Sequence, residues 1–115
     1  FMSSNAITTI DKLIVAETTP FVSTFASCKG LVNIVFEGTI AQNGLDFKDC
    51  KNLSRESIES VIYHLSGNTT GKTVTFAKAA VDKAFETSEG AADGETSDEW
   101  IALRGTKPNW TFTLS

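Results

Sequence analysis

Gly67-Asn-Thr-Thr-Gly71-Lys72-Thr73 ends in the Gly-Lys-Thr of a phosphate-cradling loop. Such a loop is longer and joins a strand to a following helix, so that backbone N–H groups surround the phosphates. Here the apolar periodicity predicts a helix before the segment and a strand after it, which inverts that geometry. No nucleotide site is expected. His64 is the only histidine, and helical spacing sets it well off the apolar stripe Ile58-Val61-Ile62-Leu65, as a solvated surface residue. With no second histidine and no nucleophile-elbow sequence, no nucleophile–base pair can be named, so a hydrolase is not expected. Two cysteines and one histidine cannot supply four zinc ligands. The sequence predicts no catalytic residue, no cofactor and no zinc centre.

The stretch Glu86-Thr-Ser-Glu89-Gly-Ala-Ala-Asp93-Gly-Glu95-Thr-Ser-Asp98-Glu99 carries six carboxylates. Calcium takes about six to eight oxygens, which a flexible acidic loop can supply, but the spacing does not follow the EF-hand order. A Gly/Ser/Ala-rich acidic run also reads simply as a solvated loop. Asn52-Leu-Ser, Asn68-Thr-Thr and Asn109-Trp-Thr match the glycosylation sequon, a three-residue pattern that arises often by chance.

The elements that must position these residues follow from size and pattern. The chain has 115 residues, 41% hydrophobic and 21% charged, which suits one globular domain with its own core. Its net charge of −4 gives no electrostatic reason to expect nucleic acid or an anionic membrane as partner. No apolar run approaches the ~20 residues of a membrane span, and no basic region precedes an apolar stretch.

One phrase occurs three times: Phe1-x-x-Ser4-x-x-Ile7, Phe25-x-x-Cys28-x-x-Leu31 and Phe47-x-x-Cys50-x-x-Leu53. The intervals are 24 and 22 residues, and self-similarity at a period of roughly 20–29 residues marks a leucine-rich-repeat solenoid. The predicted fold is therefore α/β, a right-handed solenoid with short parallel strands ending in a helix–strand cap. Its units are residues 1–24, 25–46, 47–77 (with a longer helix) and 78–115, the closing unit. Because the chain opens on Phe1, inside the phrase, it reads as a fragment of a longer array. Cys28 and Cys50 hold equivalent positions of adjacent coils, about one strand spacing of 4.7–4.9 Å apart. They form either a ladder of small buried thiols or a disulfide. Parallel Cβ vectors make the disulfide dihedral awkward and favour the ladder.

In unit one, Ile7 and Ile10 frame a short strand, and Leu13-Ile-Val15 forms a second extended segment before Thr18-Thr-Pro20 breaks it. Unit two has its main strand at Leu31–Phe36, with Gly38 and Gly44 turning the chain at either end of Thr39-Ile-Ala41. Unit three departs. Ser54 is a good N-cap for an amphipathic helix over residues 55–65, ended by Ser66-Gly67. Lys72–Ala77 alternates with period two, Val74 and Phe76 to one side and Thr73 and Thr75 to the other. Ala77–Phe85 reads as a short helix. Ser97 caps a further helix through Trp100, Ile101 and Leu103, and Trp110-Thr-Phe-Thr-Leu114 is a last strand. Helix then strand, twice, predicts parallel strands adding to one sheet. Trp100 and Trp110 read as core of the cap rather than as a ligand-stacking platform.

Phe25-x-x-Cys28-x-x-Leu31-x-x-Ile34, Phe47-x-x-Cys50-x-x-Leu53, the tail Leu53-Ser-x-Glu-Ser-Ile58, Thr73-Val-Thr-Phe76 and Lys107-Pro-Asn-Trp110-Thr together resemble the BspA-type leucine-rich-repeat family. That family occurs in bacterial surface proteins and some phage tail proteins. Ser4 in place of Cys and the long acidic stretch 86–99 depart from its pattern. The resemblance implies an extracellular adhesive or structural module at a cell surface or on a phage particle, without cofactor or catalytic residue.

Two functions follow. The first is a non-enzymatic recognition module that binds a protein or glycan on a host or neighbouring cell. It would bind through the outward sheet positions Asn33, Val35, Thr73, Thr75, Thr111 and Thr113. Threonine is also simply a good strand former on a solvated face, which is the plainer reading of the same residues. The alternative is a purely structural cap or spacer that ends a repeat array and shields its edge.

Overall fold

The computed structural model describes residues 8–21, 25, 27–85 and 98–115. Its elements are β1 (Thr9–Val15), β2 (Asn33–Gly38), β3 (Asp46–Phe47), α1 (Arg55–Tyr63), β4 (Lys72–Phe76), α2 (Lys78–Ala84), α3 (Asp98–Gly105) and β5 (Trp110–Leu114). The result is a small mixed α/β protein with parallel strands in two sheets and three helices among the described residues. The expected Ile7, the Ser4 copy of the phrase, the Ser97 cap and residues 86–97 of the acidic stretch lie outside the described residues.

The two helix–strand pairs do add their strands, β4 and β5, in parallel to one sheet, but the expected single sheet does not extend to β1 and β2. β1 pairs with β2, while β4 lies between β3 and β5 in a second sheet. Period-two alternation says which face of a strand is buried, not which neighbour it joins. Glycines make the separation: Gly38 and Gly44, with φ of 103° and 102°, redirect the chain between β2 and β3. Thr39-Ile-Ala41 forms no strand. Ile40 instead makes an isolated parallel bridge with Leu65. The two short segments expected in unit one are one continuous strand, Thr9–Val15, whose register breaks between Ile10 and Leu13.

The repeated phrase has a repeated geometry. The Cys28 N–H donates to the Phe25 carbonyl (3.0 Å) and the Leu31 N–H to the Cys28 carbonyl (3.1 Å). Cys50 and Leu53 make the same pair of bonds to Phe47 and Cys50 (3.0 and 3.2 Å). Both cysteines are buried thiols, so the ladder, not the disulfide, is what forms. The Cys50 thiol donates to the Cys28 carbonyl (3.1 Å) and the Phe25 carbonyl (3.3 Å), tying one phrase to the other. Above them Phe25, Phe47 and Phe76 stack face to face, with ring centroids 5.4 and 5.7 Å apart and planes within 8° of parallel. Such offset stacks add to the burial energy of the rings.

Trp100 stands edge-on against Phe76 (6.1 Å, 88°) and also meets Phe85 and Phe112. Trp100 and Trp110 are both buried, as core residues of the closing segment. A single buried cluster takes in residues of both sheets, α1, α2 and α3.

α1 begins as expected. The Ser54 side chain accepts from the Ser57 N–H (3.2 Å), satisfying one orphan donor of the first turn. The helix stops at Tyr63 rather than at residue 65. The Ile40 N–H donates to the His64 carbonyl and the Ser66 N–H to the Ile40 carbonyl, both at 2.8 Å. These two bonds pull the chain into an extended bridge before another turn can form. Lys72–Phe76 and Trp110–Leu114 are strands as the alternation predicts, with Val74 and Phe76 inward.

Candidate functional site

β4 and β5 run in register, placing Thr73 opposite Thr111 and Thr75 opposite Thr113. Adjacent inward positions hold Val74, Phe76 and Trp110 in the core, so the four threonines share the outer face. Thr73, Thr111 and Thr113 are exposed and Thr75 is half-buried. At one end of this face, Asn43, Asp46, Thr73 and Thr75 line a shallow recess of about 290 Å³. The Asn43 side-chain oxygen accepts from the Thr73 N–H (2.7 Å), which fixes the rim of the recess.

Asn33 and Val35 are not part of that face. They lie on β2 in the other sheet, where Asn33 is opposite Thr9 and its side-chain oxygen accepts from the Ser54 hydroxyl (3.1 Å). Val35 is 51% exposed, Ile14 on β1 is 71% exposed, and an exposed Lys12–Glu37 ion pair (3.1 Å) spans the two strands. The six expected binding positions therefore divide between two surfaces, a threonine face and a mixed aliphatic and charged face.

The structure also places His64 otherwise than expected. It is half-buried at the C-cap of α1, and its Nδ1 lies 2.8 Å from the Gly38 carbonyl. A carbonyl only accepts, so Nδ1 carries the proton and Nε2 is the acceptor of the neutral ring. The Tyr63 ring meets the imidazole edge-on at 5.3 Å, and the residue is 77% exposed. Across from them, the Lys107 ammonium donates to the Tyr63 carbonyl (3.2 Å). Glu59, Ser60 and Tyr63 of α1, with its C-cap His64, thus face Leu103 and Lys107 across a groove of about 860 Å³. Sequence reasoning did not find this groove, because its walls, joined by the Lys107–Tyr63 bond, are 44 residues apart in the chain. Its one available signal was an exposed aromatic next to the only histidine.

The remaining candidates take structural places. The Gly67–Thr73 loop follows a helix and precedes a strand. The Asn109 amide donates to the Ser66 (2.9 Å) and Thr69 (2.6 Å) carbonyls, and the Trp110 indole N–H to the Ser66 carbonyl (2.9 Å). The loop is thus a dock for the start of β5. These bonds also commit the Asn109 side chain, so this sequon has no free amide. Asp98 and Glu99 open α3, where Glu99 pairs with Arg55, while the calcium reading of Glu86, Glu89, Asp93 and Glu95 lies outside the described residues. Among the described residues no group of three or more His, Cys, Asp or Glu gathers, and no helix is long and apolar enough to cross a membrane. Burial, with lesser contributions from Cys28, Asp49 and Asp46, pushes the Cys50 thiol up to about 12, far from a reactive thiolate at neutral pH.

No protein-family model, curated protein or solved structure matches this chain.

Proposed function

We propose that the chain is the closing end of a stacked-repeat array of the leucine-rich-repeat kind, a non-enzymatic module that terminates a solenoid. The observation that carries this reading is the run of stacked rings Phe25, Phe47 and Phe76 that ends against the edge of Trp100. One aromatic per coil, followed by a large ring turned across the stack, is how a repeated core would be stopped. Two further features agree. The phrases at Phe25 and Phe47 have the same hydrogen bonds, and α1 lies along the β2 edge where the next coil's strand would pair. At the opposite end the outer edge of β1 carries no strand among the described residues, and further coils would add there. The resemblance of the Phe-x-x-Cys-x-x-Leu phrases to BspA-type repeats supports the same reading, and with it an extracellular setting on a bacterial surface or phage particle.

Duplicating residues 25–46 ahead of Phe25 tests it. In a stacked array the added coil buries its face against its neighbours. The longer protein should fold in one transition with a larger denaturant m value, since m follows the area exposed on unfolding. An insertion that unfolds the protein, or leaves m unchanged, rejects the array.

The four-threonine face favours a second reading, recognition of a protein or glycan on another cell through Thr73, Thr75, Thr111 and Thr113. Paired hydroxyls and methyls in a flat lattice, beside the Asn43–Asp46 recess, form a surface with polar and apolar character at fixed spacing. Thr75→Lys with Thr113→Lys should then abolish ligand capture by the array that carries this end. Unchanged capture would remove this reading and leave the cap.

A further inference from the structure

We infer that the groove between α1 and the α3–β5 turn is a binding site for a neutral saccharide, with the Tyr63 ring as its platform. The site is separate from the threonine face and does not depend on the chain being a cap.

The argument starts with Tyr63. A tyrosine on a nine-residue helix that packs against a core would ordinarily lay its ring over neighbouring apolar surface. Here the residue is 77% exposed and lines a groove of about 860 Å³. That volume lies in the range of small-molecule sites, roughly 300–1,000 Å³, and holds more than one pyranose ring. An exposed aromatic face is matched by a ligand with an apolar C–H face and polar edges, because each side covers the other's apolar area without stripping water from its polar groups.

The polar groups around the ring fit hydroxyls. His64 gives its Nδ1–H to the Gly38 carbonyl, which leaves Nε2 as an acceptor. The Glu59 carboxylate is a second acceptor, its nearest cation being Arg55 at 3.8 Å. Lys107 spends one N–H on the Tyr63 carbonyl and retains two donors. A vicinal diol both donates and accepts, so it can use both kinds of group at once. The formal charges of Glu59 and Lys107 cancel, which favours an uncharged ligand over an acidic or basic one.

The wall is also held in place before any ligand arrives. His64 is fixed by Gly38 and by the edge of Tyr63, and Lys107 by the end of α1. Asn109 and Trp110 anchor the facing turn to Ser66. Little ordering cost remains for binding.

The test is a titration of the isotope-labelled chain, followed by amide chemical shifts. The probes are the methyl β-glycosides of glucose, galactose and N-acetylglucosamine, with sialic acid and a mixed tetrapeptide library in parallel. Saturable shifts at residues 59–64 and 103–107 with at least one neutral glycoside are expected. Tyr63→Ala should abolish them, Tyr63→Phe should retain them, and Glu59→Gln should weaken binding about tenfold, the loss of one charge-assisted hydrogen bond. Tyr63 is exposed, so both variants should keep the parent's fold, which the same spectra report. No saturable shift with any neutral glycoside overturns the inference, as does a response that survives Tyr63→Ala or occurs only with sialic acid or peptide. Glycoside shifts confined to Thr73, Thr75, Thr111 and Thr113 would also overturn it, while leaving recognition by the threonine face standing.

Discussion

The hydroxyl of Ser57 does for Ile34 what a neighbouring strand would do. It accepts from the Ile34 N–H at 2.9 Å and donates to the Val32 carbonyl at 3.0 Å. Two residues along β2, the Ser60 hydroxyl accepts from the Phe36 N–H at 3.1 Å, and at the start the Ser54 N–H donates to Val32. Ser54, Ser57 and Ser60, three residues apart, lie on one side of the helix. They satisfy alternate edge groups of a strand that would otherwise template pairing with another chain. A helix thus covers a sheet edge with side chains in place of a backbone ladder.

Ser57→Ala should therefore cost more than the loss of an average hydroxyl. It leaves the Ile34 N–H, in a residue only 1% exposed, without a partner, and such orphaned buried donors cost about 1–3 kcal/mol. Ser60→Ala should cost less, because the Ser60 hydroxyl makes one bond to the strand where the Ser57 hydroxyl makes two. Urea unfolding of both variants measures the difference. Equal and small losses would mean that the serines are incidental to the edge.

Gly38→Ala should be more damaging than either. Gly38 has φ of 103°, and a Cβ added there would collide with the carbonyl oxygen of Val15. Left-handed strain alone costs about 1–3 kcal/mol in a non-glycine residue, and the collision is with backbone that cannot turn aside. Thermal melting should show a loss of at least that size. Gly67→Ala, which meets nothing within 4 Å, is the control that should stay near neutral.

Much of this was legible in the chain, and the reasons for the exceptions are specific. The Ser54 cap, the Thr73-Val-Thr-Phe76 alternation and the strand at Trp110 are local signals, each carried by a few consecutive residues, and each appears as read. Burial of Trp100 and Trp110 followed from their size. The division of Asn33 and Val35 from the threonines was not legible, because alternation fixes a face and says nothing of the sheet. His64 looked solvated because its partner, the Gly38 carbonyl, is 26 residues away. The edge-covering serines did leave a trace, the Ser54-x-x-Ser57-x-x-Ser60 spacing, but a polar triplet beside an apolar stripe reads as helix surface unless the strand beneath it is known.

Alkaline pH should destabilise the fold through Cys50. Its thiol rises from the ordinary 9.0 to about 12 in the folded protein, chiefly by burial. Below pH 9 both folded and unfolded chains hold the proton, and the full stability is present. Between pH 9 and about 12 the unfolded chain releases it while the folded chain retains it, so stability falls as pH rises. Cys50→Ser keeps a donor for the Phe25 and Cys28 carbonyls and removes the titration. Its stability should decline less steeply over the same window in denaturant series. Parallel slopes would show that Cys50 does not set the alkaline limit. The same burial predicts that Cys28 and Cys50 react with a disulfide reagent only as the protein unfolds.

Trp100 supplies the last prediction, and it separates packing from closure. Trp100→Ala removes the ring that meets Phe76, Phe85 and Phe112, and large aromatic truncations in a core cost about 3–5 kcal/mol. That loss alone would be expected of any buried tryptophan. If the ring also stops the phenylalanine stack, Trp100→Phe should recover much of the stability by refilling the space. Trp100→Ala should in addition self-associate at concentrations where the parent is monomeric, because Phe76 then offers an uncovered face next to a parallel sheet. Light scattering on the folded fraction of each variant distinguishes the two. A destabilised but monomeric Trp100→Ala would make the tryptophan a core residue and nothing more.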